Sequence, residues 1–128
     1  MSPVLVALLV GLLGGLGAAA RFAVDGAIRG RWSRLLPVAT MIINVTGSVV
    51  IGVLAGALST GVISADVYTV AATGFCGGYT TFSTAMVESV RLVASGDLRR
   101  GLVSAFGTLL LTVLAATLGL AVGLLLGS

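Results

Sequence analysis

Gly74-Phe75-Cys76-Gly77-Gly78-Tyr79-Thr80-Thr81-Phe82-Ser83-Thr84 lies inside an apolar segment long enough to cross a bilayer, between Val70-Ala71-Ala72 and Ala85-Met86-Val87. Three glycines and four aliphatic hydroxyls in eleven residues are poor material for a lipid-facing helix interior. Glycine costs about 1 kcal/mol relative to alanine in a helix, and Ser and Thr hydroxyls compete for backbone hydrogen bonds. A chain that breaks its helix at membrane depth must bury the freed carbonyls and amides in protein, or aim them at an ion or water. The stretch is therefore expected to be the functional centre, with the other helices as its housing.

Working outward, the composition is that of an integral membrane protein. Of 128 residues, 58% are hydrophobic and 9% charged, and the mean hydropathy is +1.21. Soluble domains carry about 25% charged residues. The length allows one small domain, residues 1–128. With a single cysteine, Cys76, there is no internal disulfide and no metal-ligand cluster. With no histidine, a zinc site or a His-based triad is excluded. No nucleophile–base pair points to an enzyme. The +3 charge comes entirely from arginines in or near loops, which reads as membrane orientation and not as nucleic-acid binding. The N-terminal apolar run is long and lacks a basic start, so it reads as a first span.

A spanning helix needs about 20 apolar residues. The expected spans are about Val4–Val24, Pro37–Leu58, Val67–Ala94 and Gly101–Leu126, an all-α protein with its third helix broken. Gly11 and Gly15 in the first span form a G-x-x-x-G pair, with Gly14 and Ala18 beside them, that permits close helix approach. Arg21 at its end either snorkels to the interface or lines a polar vestibule. Loop one, about 25–36, carries Arg29, Arg31 and Arg34, with Trp32 as a candidate interfacial anchor. In the second span, Asn44 needs a polar partner: another helix, or an anion that its amide donates to. Ser48, Gly52 and Gly56 form a small-residue face there, and Ala115, Gly119 and Gly123 form another in the fourth span. Ser104, Thr108 and Thr112 stack on one face of the fourth span. Such hydroxyls either bond back to their own helix or face a polar path.

All seven arginines fall at one end of the predicted bundle. Positive-inside bias puts loops one and three in the cytoplasm and both termini outside. Arg21 and Glu88 sit at matching depths near that face and are placed to pair. Four short helices pack their own centre closed, so a pore requires an oligomer. The inward-facing groups would be Asn44, Thr80, Thr81, Ser83, Thr84 and the Ser104–Thr112 face, mostly N–H and O–H donors. Phe82 either packs or offers a ring edge, which carries partial positive charge. Donors and ring edges suit a small anion that sheds its hydration, whereas carbonyls freed at a broken helix suit a cation.

Gly74-x-x-Gly77-Gly78-x-Thr80-Thr81-Phe82-Ser83-Thr84 closely resembles the signature of the bacterial fluoride channels, the Fluc or CrcB family. Arg21, Thr40, Asn44, Glu88 and the hydroxyl face of the fourth span match that family too, so the resemblance covers essentially the whole chain. It implies an antiparallel dimer of two oppositely oriented subunits in the plasma membrane, with two fluoride pores. It implies a structural sodium ion, not transported, on backbone carbonyls at the break, here Gly77 and Thr80. The pore donors map onto Asn44, Phe82, Ser83, Thr108 and Thr112, and the vestibule onto Arg21 and Glu88. The implied function is passive fluoride export, which lowers the fluoride trapped in the cytoplasm.

The chain departs from the family pattern at three places: Ala85 stands where a second phenylalanine is common, Ser104 replaces a tyrosine, and Ala116 replaces a hydroxyl residue. The complete arginine bias suits a chain that inserts one way only. A heterodimer with a paralogue of opposite bias is thus expected in preference to a homodimer. Two alternatives stand beside the channel. One is a non-conducting subunit that completes a partner's fold. The other is a small multidrug exporter, disfavoured because the first span lacks the membrane carboxylate that proton exchange needs.

Overall fold

The computed structural model describes residues 1–31 and 37–128. Trp32 and Arg34, the expected anchor and one of the loop-one arginines, lie outside the described residues. Every regular element among those described is helical. In chain order they are α1 (Pro3–Arg31), α2 (Val38–Ser59), α3 (Ala65–Tyr68), a π-helical stretch (Thr69–Cys76), α4 (Gly77–Tyr79), α5 (Phe82–Ala94) and α6 (Leu98–Leu126). Among them α1, α2 and α6 are long and apolar enough to cross a membrane, and the chain is a multi-pass membrane protein.

The helix ends follow local chemistry. Ser64 caps α3, its hydroxyl accepting from the Val67 N–H. The α5 helix ends at Ala94, capped by Ser95, and Gly96 with φ of 93° turns the chain into the left-handed region. The Asp97 N–H then reaches back to the Leu92 carbonyl at 2.9 Å, the geometry of a glycine stop. Asp97 at once caps α6, accepting from the Arg100 N–H at 3.1 Å. That bond, with the Arg100 guanidinium beside it, holds the Asp97 carboxyl below the usual carboxylate range.

Two expected boundaries differ. Residues 25–31, expected in loop one, continue α1, and the Asp25–Arg29 ion pair at 2.8 Å supports that added turn. The third apolar segment begins at Ala65 and winds as a π-helix from Thr69 to Cys76, with wider turns than an α-helix. Nothing in the composition signals that winding.

The interior is built from small and polar side chains. Ala39, Ile43, Ala57, Ala72, Cys76, Ala85 and Ala115 are buried together with Thr40, Asn44, Ser89, Ser104 and Thr108. Large apolar side chains such as Leu8, Leu12, Leu110 and Leu118 point outward, the arrangement expected where lipid is the solvent. The most extensive seam joins α2 to α6. A Cβ at Gly52 would lie 2.2 Å from the Ala116 carbonyl oxygen, and one at Gly119 would lie 2.2 Å from that of Val49. The two small-residue faces therefore meet each other. On α1 the close approach is made at Gly14 and Gly17, because a Cβ on Gly78 or Gly17 would strike the backbone opposite. Gly11 and Gly15, the expected pair, touch nothing: they lie on the face of α1 turned away from the bundle.

Both chain ends gather at one end of the bundle. The N-terminal ammonium pairs with Asp66 at 3.1 Å, and Gly127 packs against Thr60. The turns that carry Arg31, Arg99 and Arg100 lie at the other end.

Candidate functional site

The third segment breaks at Thr80 and Thr81, which are extended, with φ and ψ of −80° and 158° and of −148° and 116°. Asn44 of α2 fills the gap. Its Nδ2 donates to the Thr81 carbonyl at 2.8 Å, and its Oδ1 accepts from the Thr81 N–H at 2.8 Å. One amide thus replaces both helix bonds of one residue, which satisfies the break inside the protein. Of the two partners open to Asn44, the helix backbone takes one donor and one acceptor site; the second amide hydrogen remains.

That bond has consequences for the carbonyls. In a continuous helix the Thr81 N–H would serve the Gly77 carbonyl. The Thr84 N–H would serve that of Thr80, but it donates to the Thr81 hydroxyl at 3.3 Å. Among the described residues no hydrogen bond across the break ends on the Gly77 or Thr80 oxygen. The Thr80 N–H and hydroxyl both turn back to the Cys76 carbonyl, each at 2.9 Å. Gly77 is exposed, and a methyl group there would meet only the Ala72 oxygen at 3.8 Å. Two bare carbonyls near the surface are ligands for a hard cation. Among the described residues no cluster of three or more acidic, Cys or His side chains could hold one instead. Carbonyl oxygens of this kind are the donors that a hard-cation site uses.

Three hollows adjoin the break. A cavity of about 250 Å³ is lined by Asn44, Thr80, Phe82, Ala85, Thr108 and Thr112. Phe82 opens α5 and stands 78% exposed at its edge. Thr108 is buried as a residue, and its hydroxyl makes no hydrogen bond among the described residues; since no side-chain oxygen there is both buried and unsatisfied, the hydroxyl itself reaches the cavity. Its neighbours on the α6 stripe are engaged: Thr112 donates to the Leu109 carbonyl at 3.0 Å, and Ser104 meets Ser89 at 3.2 Å. Of the three stacked hydroxyls only that of Thr108 is uncommitted, although Thr112 lines the cavity too. Thr81 also lines a second hollow of about 310 Å³ with Arg21, Asp25, Arg29 and Thr40. Arg29, Asp25 and Thr84 are shared with a third, of about 540 Å³, which adds Ser83, Glu88 and Arg91. The shared linings chain the three from the arginine end of the bundle past the break.

The structure thus brings Asn44, Phe82, Thr108 and Thr112 together, and places Gly77 and Thr80 at the break. Ser83 is placed apart, exposed in the outer hollow with Glu88. Arg21 and Glu88, expected to pair, line different hollows. Glu88 accepts from the Thr40 hydroxyl at 2.5 Å and pairs with Arg29 at 3.4 Å. Because α1 continues through Arg29, that longer reach comes from one further pair of turns along the stripe of Arg21. Arg29 and Asp25 were not expected at the site. Their spacing of four and eight from Arg21 was the available signal, hidden by assigning them to a loop.

Residues 8–120 match the family described as CrcB-like protein, Camphor Resistance (CrcB). The chain is 46% identical over 113 residues to the fluoride-specific ion channel FluC 2 of Cutibacterium acnes, covering 88% of this chain and 92% of that one. It is 47% identical over 124 residues to the fluoride-specific ion channel FluC 1 of Leifsonia xyli subsp. xyli, covering 96% and 89%. A more distant relative, the fluoride-specific ion channel FluC of Syntrophotalea carbinolica, is 36% identical over 118 residues, covering 91% and 93%. With a family match and relatives of this identity along nearly the whole chain, the protein belongs to the CrcB family, a family of ion channels and not of enzymes.

Proposed function

We propose that the chain is a subunit of a fluoride-specific channel that lets the anion leave the cytoplasm passively. The observation that carries this is the interrupted segment, stapled by Asn44 so that Phe82, Thr80 and the free Thr108 hydroxyl face one cavity. Fluoride is small and strongly hydrated. A path for it must supply hydrogen-bond donors and ring edges in place of water, without a fixed cation that would trap it. The remaining Asn44 amide hydrogen, the Thr108 hydroxyl and the Phe82 edge are such groups. Ser83, with the arginines and Glu88, belongs to the entrance. Flux follows the electrochemical gradient, and an inside-negative potential drives the anion out.

The segment 65–94 forms the fourth crossing. The cavity is open on one side and Gly77 is exposed, so the path and the carbonyl site are completed by a second, inverted subunit. The carbonyls of Gly77 and Thr80 would hold a structural sodium ion, which would neutralise the orphaned oxygens and fix the two breaks to each other. A heterodimer is favoured over a homodimer, because the arginine bias commits this chain to one orientation, with both termini outside. The relatives' names, FluC 1 and FluC 2, support paired chains.

Fluoride efflux from liposomes tests this directly. The chain co-expressed with a paralogue of opposite bias is expected to conduct fluoride. The chain alone is expected to conduct little, and strong efflux from it alone would remove the heterodimer. Phe82→Ile in the assembled channel should cut flux at least about tenfold, since aromatic-edge stabilisation of a stripped anion is lost. Unchanged flux would make this chain a scaffold subunit, a role that Ala85 in place of a second ring keeps in contention.

A further inference from the structure

Arg21, Asp25 and Arg29 stand at four-residue spacing and so form one stripe of α1. Arg29 reaches two carboxylates from that stripe. Its Nε lies 2.8 Å from Asp25 and its Nη2 lies 3.4 Å from Glu88 on α5. Glu88 is further held by the Thr40 hydroxyl of α2. Arg29 is half exposed, and exposed ion pairs add little to stability. The one bond that joins α1 to α5, Arg29 to Glu88, therefore does little to hold the two helices together.

The charges tell more than the bonds. The groups facing these two hollows are Arg21, Arg29 and Arg91 against Asp25 and Glu88. Arg21 and Arg91 make no ion pair among the described residues. With Arg29 present, three cations face two carboxylates and one net positive charge remains to attract an anion. Without it, two carboxylates face two cations and the attraction cancels. Given the fluoride path proposed above, we infer that Arg29 is a positioning residue for anion entry: it masks Asp25 and Glu88 so that the mouth stays net positive.

Mouth charges act on the rate of encounter, and salt screens them within about 10 Å at 0.1 M. The test uses the co-expressed channel in liposomes, with fluoride efflux read at about 20 mM and about 500 mM of an impermeant salt. Arg29→Gln is expected to lower flux about three- to tenfold at the low concentration and less than about twofold at the high one. Arg29→Lys should retain most of the flux. Arg29→Gln with Glu88→Gln should recover to within about twofold of the parent, because the uncompensated carboxylate is gone while the amide oxygen still accepts from Thr40. Arg100→Gln removes an arginine that pairs with Asp97 away from the hollows, and should leave flux unchanged. Glu88→Gln alone needs no stable Arg29 variant and should raise flux at low salt; a fall would overturn the inference. Equal loss at both salt concentrations, or no recovery in the double variant, would give Arg29 a packing role instead. A parent channel without fluoride flux would overturn the channel assignment itself.

Discussion

The α2–α6 seam and the break in the third segment are built in opposite ways. At the seam, side chains have been removed until backbone meets backbone, at Gly52 against Ala116 and at Gly119 against Val49. At the break, a side chain has been added to do the work of backbone, with the Asn44 amide standing in for the helix bonds of Thr81. At these glycines the seam leaves no room even for a Cβ. The break leaves two bare carbonyls, a free hydroxyl and a chain of hollows. The first is a solution to packing in lipid, where contact area and not water drives association. The second spends polar groups in a place where each is costly, which a structure tolerates only for a use.

If that contrast is right, the largest effect of any single change should come from the seam and should be structural. Gly52→Leu forces a side chain into the carbonyl of Ala116, with no flexible neighbour to yield. Overpacking commonly costs about 1–3 kcal/mol, and more where backbone must move. The expected result is loss of folded protein, read as aggregation on size-exclusion chromatography in detergent. Gly15→Ala, on the outer face of α1, should elute as the parent does. A Gly52→Leu protein that folded and conducted would show that the seam is loose.

Changes at the break should divide between stability and flux. Asn44→Leu removes both bonds to Thr81 and leaves its N–H and carbonyl unpaired, a loss of about 2–4 kcal/mol at roughly 1–2 kcal/mol for each group. It should lower the melting temperature in detergent and abolish measurable flux. Asn44→Asp keeps an acceptor for the Thr81 N–H but places a charge in the cavity. It should recover part of the stability and none of the flux. Recovery of flux with Asp would mean that the staple alone matters and that the amide never meets the ion.

Much of this was legible in the sequence, for identifiable reasons. Glycines and hydroxyls packed into an apolar run announced the break, and glycines four apart announced the seam. What composition could not carry was phase. Gly11 and Gly15 have the spacing of a packing pair, yet the contact falls at Gly14 and Gly17, and only the rotation of α1 decides between them. The π-helical winding at 69–76 likewise leaves no mark in residue type. Arg29 escaped notice because a short polar stretch after an apolar span looks like loop, while the ion pair that keeps it helical is a matter of geometry. The pairing of Glu88 with Arg29 in place of Arg21 follows from that same added turn.

Phase also decides the last and smallest of these effects. Ser104, Thr108 and Thr112 are equivalent in the sequence, but only the Thr108 hydroxyl, at the cavity wall, makes no hydrogen bond among the described residues. Thr108→Val removes that oxygen and almost no volume. Stability should hold or rise slightly, because the hydroxyl has no protein partner to lose. Flux should fall about three- to tenfold, the equivalent of one hydrogen bond of about 1 kcal/mol to the passing ion. Thr112→Val, whose hydroxyl already serves the Leu109 carbonyl, should change flux by less than about twofold, being worth only a fraction of such a bond. Equal losses from both would mean that the Thr112 hydroxyl leaves its carbonyl to meet the ion. The stripe would then act as a ladder of donors and not as a single one.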